Sequence, residues 1–344
     1  MSATALEVGI LLAIGLGLTL YILLGGADFG GGVWDLLAHG PAHERERALI
    51  AEAIGPVWEA NHVWLIFVVT VLFAAFPPAF AALGVALYVP FSLAIAGIVF
   101  RGAAFAFRSH GEGSAWQRRW TRVFGIASLV TPVVLGMAGA ALASGRIRIR
   151  PGGIVEAGLW SSWTGPLSIA AGALALAMCA YLAAVYLTVE ADVRGDAELA
   201  GRFRRRAVGS GLVSGALAAA GLVVVSLDAP VLWAGMRDRG WPLVLLSAAG
   251  GLASLLLILR RRDRAARAAA AVAVASVVAG WGVAQWPILI APDLTVRDAA
   301  APVSALGPIA VGLAAGGALL LPSLLLLFRV FKAATARPDV RPGA

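Results

Sequence analysis

The chain is predicted to be an all-α, polytopic membrane protein of about nine transmembrane helices, arranged as two four-helix bundles plus one extra helix. Three observations carry that prediction. Hydrophobic residues make up 60% of the 344 and charged residues only 13%, against roughly 25% charged in a soluble domain; the mean hydropathy is +0.87. The apolar residues fall in long continuous runs, not in the short alternating segments of a β-barrel. The basic residues are unevenly shared between alternate loops, as they are in helical membrane proteins.

Nine runs are long enough to cross hydrocarbon as helices. They cover residues 6–24, 56–76, 79–107, 123–143, 164–189, 208–227, 241–259, 268–290 and 303–330. The first is followed by further spans, so it reads as a helix and not as a cleaved leader. The third and the last exceed the minimum length and can be tilted. Even spacing leaves no room for a sizeable soluble domain, so residues 1–344 are expected to form one integral membrane domain. The 41 glycines, including Gly15, Gly17, Gly316 and Gly317, predict close helix packing. Trp160, Trp163, Trp233 and Trp241 fall at span ends, where interfacial tryptophans gather. Arg101 and Arg261 occupy similar places after the third and seventh spans, and they suggest two related four-span halves.

Charge sets the orientation. With the N-terminus outside, 20 of the 27 basic residues fall on cytoplasmic loops and the C-terminal tail, including Lys332, Arg337 and Arg341. Six fall outside, and Arg101 is within a span. That bias predicts an outside N-terminus and a cytoplasmic C-terminus. The runs RFRRR (202–206) and RRRDRAAR (260–267) read as orientation signals beside anionic headgroups. The net charge of +8 therefore needs no nucleic-acid partner. Cys179 is the only cysteine, which excludes an intrachain disulfide or a cysteine-ligated cluster. Its apolar surroundings predict a buried, unreactive thiol.

Few residues within the spans can carry chemistry. The first span ends in GGADFGGG (25–32). A phosphate-binding glycine loop needs a preceding strand in a βαβ unit, and a transmembrane helix precedes this one. The glycines are expected to unwind the helix or to pack it against a neighbour, with Asp28 at the cytoplasmic edge. The stretch 54–77 opens with Gly55 and Pro56 and carries Trp58, Glu59, Asn61, His62 and Trp64 within two turns. Glu59 and His62 are three apart and so share a helix face. An acid within lipid depth costs roughly 2.5–3.5 kcal/mol even on the lenient insertion scale. It therefore suggests a group facing protein and in use as a proton carrier, with His62 as a second titratable member.

Arg101 either snorkels to the interface or serves as counter-ion to Glu59 or Asp28. Gln285 is expected to satisfy a neighbouring helix. Of His39, His43, His62 and His110, only His62 lies in a span, so the chain cannot supply the axial ligands of a multi-haem protein. No nucleotide-binding motif is present, and no metal site is predicted.

The motif set resembles subunit II of the cytochrome bd family of quinol oxidases over essentially the whole chain. The matching pieces are Asp28–Phe29–Gly30, Gly55–Pro56, Trp58, Asn61, Val63–Trp64–Leu65, Leu72–Phe73–Ala74–Ala75 before Pro77, and Phe100–Arg101. The resemblance implies a haem-free subunit in a bacterial or archaeal cytoplasmic membrane, paired with a subunit I that holds the haems and the quinol site. It also admits a structural quinone and a small single-span accessory subunit. Proton uptake from the cytoplasm would fall on Glu59, Asp28 and His62, with Arg101 as counter-ion. Trp58, Asn61 and Trp64 would face the partner. Three positions depart from the common pattern: Gly25 replaces an acid, Glu59 replaces Asp, and His62 replaces Gln.

Two other readings use the same residues. A proton-coupled secondary transporter would use Glu59, His62 and Arg101, but it would want matching broken helices with midplane polar groups in both halves. A purely structural subunit of a respiratory complex would leave Glu59 idle.

Overall fold

A computed structural model describes residues 2–55, 58–110 and 114–335. Pro56, Arg337 and Arg341 lie outside the described residues. Among the described residues, nine helices are long and apolar enough to cross a membrane.

The chain begins with α1 (Ala3–Leu36), capped by the Ser2 hydroxyl, which accepts from the Ala5 N–H at 3.3 Å. The amphipathic α2 (His43–Ile54) follows, then α3 (Trp58–Ala75), the short α4 (Pro77–Ala86), α5 (Tyr88–His110) and α6 (Ser114–Ala141). A hairpin of β1 (Arg148–Arg150) and β2 (Ile154–Glu156) leads into α7 (Pro166–Val193) and α8 (Ala197–Asp228). The short α9 (Pro230–Gly235) runs through one π-helical turn into α10 (Trp241–Leu259), followed by α11 (Asp263–Gln285). A second small hairpin, β3 (Ile288–Ile290) with β4 (Leu294–Thr295), precedes α12 (Val296–Ala299) and α13 (Val303–Thr335).

Helices α1, α3, α5 and α6 form the first bundle, and α7, α8, α10 and α11 form the second. They meet where α7 packs between α1 and α6, while α13 lies outside against α1 and α3.

Ion pairs and loop contacts sort the connections into two ends. At the basic end, Arg202 and Arg206 of α8 bind the buried Glu46 of α2 at 3.1 and 2.7 Å, and Arg45 pairs with Asp196 and Glu198. At the hairpin end, Arg148 holds Asp293 through two bonds of 2.7 and 3.0 Å, and Arg146 holds Asp228 at 2.7 Å. Each end has its own apolar core: Leu49, Ile50, Leu199 and Phe203 at the first, and Phe76, Leu87, Ile147, Trp163 and Ile290 at the second. Between the two ends, Leu182, Val185 and Ile258 form a further buried cluster, while side chains such as Leu12, Ile66, Ile95 and Leu245 are exposed, as lipid contact requires.

Several boundaries differ from the hydropathy reading. The first helix runs unbroken to Leu36, so the glycines of residues 25–32 do not unwind it. Residues 79–107 are two helices parted at Leu87, which is buried with φ −120° and ψ 21°. The run RFRRR belongs to α8 itself, because Asp196 caps that helix well before the apolar stretch begins at about 208. Arg237 and Arg239 lie in the π-helical turn and not in a loop. The eighth span, α11, stops at Gln285, since residues 288–290 pair as a strand. Trp163 is buried in the hairpin-end core, whereas Trp160 and Trp241 are exposed as an interfacial belt expects.

Candidate functional site

The glycines of α1 create the site by letting three helices touch. A Cβ added to Gly30 would fall 1.9 Å from the Cys179 carbonyl oxygen of α7, and one on Gly32 would fall 2.1 Å from the Ser128 hydroxyl of α6. Backbone contact of this kind is what small residues permit between membrane helices. Asp28 is held in this seam at 4% exposure, enclosed by protein. Its Oδ2 accepts a 2.7 Å hydrogen bond from Asn61 Nδ2 on α3.

Arg101 of α5 is the largest of the fully buried side chains, at 1% exposure. Its guanidinium carbon lies 5.0 Å from the Phe29 ring centroid and 5.2 Å from that of Phe124, within cation–π range. It interacts electrostatically with Asp28 and with Tyr21. Arg101 therefore does not snorkel: it is a charge enclosed within the bundle, in the electrostatic field of Asp28. Glu59, the other carboxylate that could serve as its counter-ion, is exposed on α3.

His62 is half-buried, with its ring 6.0 Å from Tyr21, 5.9 Å from Phe29 and 6.0 Å from Trp58. Five buried atoms around Asp28 have no hydrogen-bond partner among the described residues. They are Tyr21 Oη, both ring nitrogens of His62, and Nε and Nη2 of Arg101. Buried polar atoms normally have partners, so among the described residues this group of unpartnered atoms marks a polar region inside the spans.

Glu59 points the other way. It is exposed on the outer face of α3, in line with Val63, Ile66, Thr70 and Phe73. Ile66 and Phe73 are 64% and 58% exposed. The three-residue spacing to His62 is thus cut by the bundle surface, with one residue outside and the other inside. Of the expected partner-facing trio, Asn61 is enclosed, while Trp58 and Trp64 are half-buried. Asn61 is buried on Asp28, Trp58 packs against Phe105 at 6.1 Å, and Trp64 packs toward Tyr21 and Phe29. The outward face belongs to their neighbours Glu59, Val63, Ile66 and Phe73.

The fit of a haem to this chain can be judged at His62, the one histidine among the spans. Both ring nitrogens are buried and aromatic rings pack on three sides. Neither nitrogen is presented to a haem iron, and the residues present do not fit the group.

A family model described as cytochrome bd terminal oxidase subunit II matches residues 6–331. The chain belongs to that family. Among its relatives is cytochrome bd ubiquinol oxidase subunit 2 of Bacillus subtilis (strain 168), 37% identical over 118 residues, or 34% of each chain. Cytochrome bd-I ubiquinol oxidase subunit 2 of Escherichia coli (strain K12) is 38% identical over 96 residues, 28% of this chain and 25% of that protein. These alignments span only a quarter to a third of each relative's length. A putative cytochrome bd menaquinol oxidase subunit II of Bacillus subtilis aligns more widely, at 23% identity over 81% of this chain and 82% of its own. The solved structure of bd oxidase from Geobacillus thermodenitrificans matches with a TM-score of 0.76 and 26% identity, covering 95% of this chain and 98% of that one.

Within this subunit II chain, three features of the seam went unread in the sequence. Tyr21 lies seven residues before Asp28, two turns along one face, and that spacing was a usable signal. Phe124 and the Asp28–Asn61 bond join distant segments and left none. Gln285, expected to bond a neighbouring helix, instead donates to the carbonyls of Leu289 and Leu142 at the hairpin end.

Proposed function

We propose that this chain is the haem-free subunit II of a bd-type quinol:oxygen oxidoreductase in a cytoplasmic membrane, with its N-terminus outside and its C-terminus inside. It forms a single integral membrane domain, docks on and stabilises a haem-bearing subunit I, and lines the route by which protons enter from the cytoplasm. Oxygen reduction and quinol oxidation belong to the partner.

The observation that carries this reading is Glu59, exposed on an otherwise apolar helix face. An ionisable group left against lipid is costly. The same group covered by a second protein becomes part of an internal route. The apolar residues in line with it supply the contact area that such docking needs, and the basic end is where cytoplasmic protons would arrive. Behind Glu59, the Asp28–Arg101 pair is neutral as a unit and Asn61 fixes the carboxylate. The unpartnered Tyr21, His62 and Arg101 atoms call for water, which is the medium a proton route uses. Glu59 is the carrier at the interface, and Asp28, Arg101 and His62 set the field behind it.

Replacing Glu59 by Gln in the assembled complex keeps size and polarity and removes the titratable proton. Turnover and proton uptake should both fall while assembly stays intact. Unchanged oxygen consumption and proton uptake would reduce the chain to a scaffold.

A further inference from the structure

The basic runs RFRRR and RRRDRAAR have no part in the proton route. The fold brings them together at the basic end, where α8 and α10 flank an open cleft of about 410 Å³ lined by Gly201, Arg204, Arg205, Val208, Leu259 and Arg261. Gly201, Arg204, Arg205 and Val208 recur at the three- and four-residue spacing of one helix face. Arg204 is fixed in place, with both Nε and Nη2 bonded to the carboxylate of Asp263 at the start of α11. Asp263 offsets one of the three guanidinium charges. Arg205 and Arg261 are exposed, and among the described residues neither has a carboxylate partner.

The backbone at Arg261 adds a separate observation. It has φ +55° at the residue that ends α10, where the Arg262 N–H bonds back to the Leu257 carbonyl at 2.8 Å. The corresponding turn after α7, at the same end, uses Gly195 with φ +72°. Glycine is the residue that fits this conformation without strain. Among the described residues Arg261 is the only non-glycine with positive φ, so a long cation is kept where the fold would accept glycine. Away from the arginines the walls turn apolar, with Leu212 on α8 and Leu252, Leu256 and Leu259 on α10 all exposed.

We propose that this cleft binds an anionic phospholipid, with Arg205 and Arg261 on the phosphodiester and the acyl chains along Leu212, Leu256 and Leu252. Arginine forks match phosphate oxygens in pairs, and basic pockets between membrane helices at this depth suit lipid headgroups. The leucines favour a lipid over free phosphate, which would gain nothing from them. The proposal does not involve Glu59 and stands apart from the proton route.

The test is native mass spectrometry of the purified assembled complex in mixed micelles containing phosphatidylglycerol or phosphatidylcholine. The wild-type complex should retain phosphatidylglycerol selectively. The Arg205→Gln/Arg261→Gln complex should bind it roughly thirtyfold more weakly, taking each arginine at its usual worth near a charged headgroup. Arg205→Lys/Arg261→Lys should restore most of the binding. Both residues are exposed, so assembly and oxidase turnover in detergent should be unchanged and will report that the variants fold. Equal retention of the two lipids, unaltered retention in the Gln variant, or displacement by millimolar inorganic phosphate would each overturn the proposal.

Discussion

The buried pair at the centre of the first bundle makes a quantitative prediction. Arg101 is almost wholly enclosed and Asp28 nearly so. Removing one member of a buried ion pair strands the other charge and costs about 3–5 kcal/mol, whereas replacing both with groups of similar size is often near neutral. Asp28→Asn keeps the shape and a carbonyl oxygen for the Asn61 amide, so its cost isolates the charge. Arg101→Met keeps most of the side-chain length and its packing against Phe29 and Phe124. Each single change should lower the apparent melting temperature of the assembled complex by several degrees and reduce its yield. The double variant should cost no more than either single change, giving a coupling energy of about 3–5 kcal/mol, at or above the upper end of what contacting residues show. The assay is a thermal ramp of all four complexes in one detergent at one lipid content. Additive losses, with coupling near zero, would refute the pairing and imply that Arg101 is compensated elsewhere.

Further expectations follow from the packing and the ion pairs. Gly30→Ala places a methyl group 1.9 Å from the Cys179 carbonyl, a backbone clash that should cost about 1–3 kcal/mol as overpacking does. Gly9→Ala, where nothing lies within 4 Å, should be neutral or slightly stabilising, and yields of the assembled complex will compare the two. At the hairpin end, the hydrogen bond from Arg148, helped by the Ile149 N–H, holds the Asp293 carboxyl below its ordinary value. A lowered value contributes stability that is present above the ordinary carboxylate range near pH 4 and is lost as pH falls through the lowered value. An acid-active protease should therefore spare residues 146–157 at about pH 5 and cut them near pH 3. Asp293→Asn should be cut at both, and equal resistance of the two proteins would count against the clamp.

What the sequence disclosed follows from which constraints are local. Each span had to be a continuous apolar run, because lipid satisfies no backbone group, so the number of helices and the two-bundle arrangement were legible. Element boundaries were not. Residues 77–107 are apolar whether or not the chain breaks at Leu87, and α8 continues beyond its apolar part because Asp196, not hydropathy, starts it. The glycines of residues 25–32 announced an unusual segment, but whether they would bend or pack depended on Cys179 and Ser128, which arrive from distant helices. The site divides similarly. The spacing of Glu59 and His62 placed them within a turn, yet only the position of the bundle surface decides that one is exposed and the other enclosed. Asn61 read as a partner contact because nothing local shows that Asp28, thirty-three residues earlier, lies beside it.

The most direct measurement is proton uptake and oxygen consumption by the assembled complex in proteoliposomes, comparing wild type with Glu59→Gln and Glu59→Asp. An acid carrying protons at the covered face of α3 predicts a fall of at least about tenfold for Gln, in the range that losing a positioned proton carrier usually costs or below it, and recovery for Asp. Full turnover with undiminished proton uptake in the Gln variant would contradict the account.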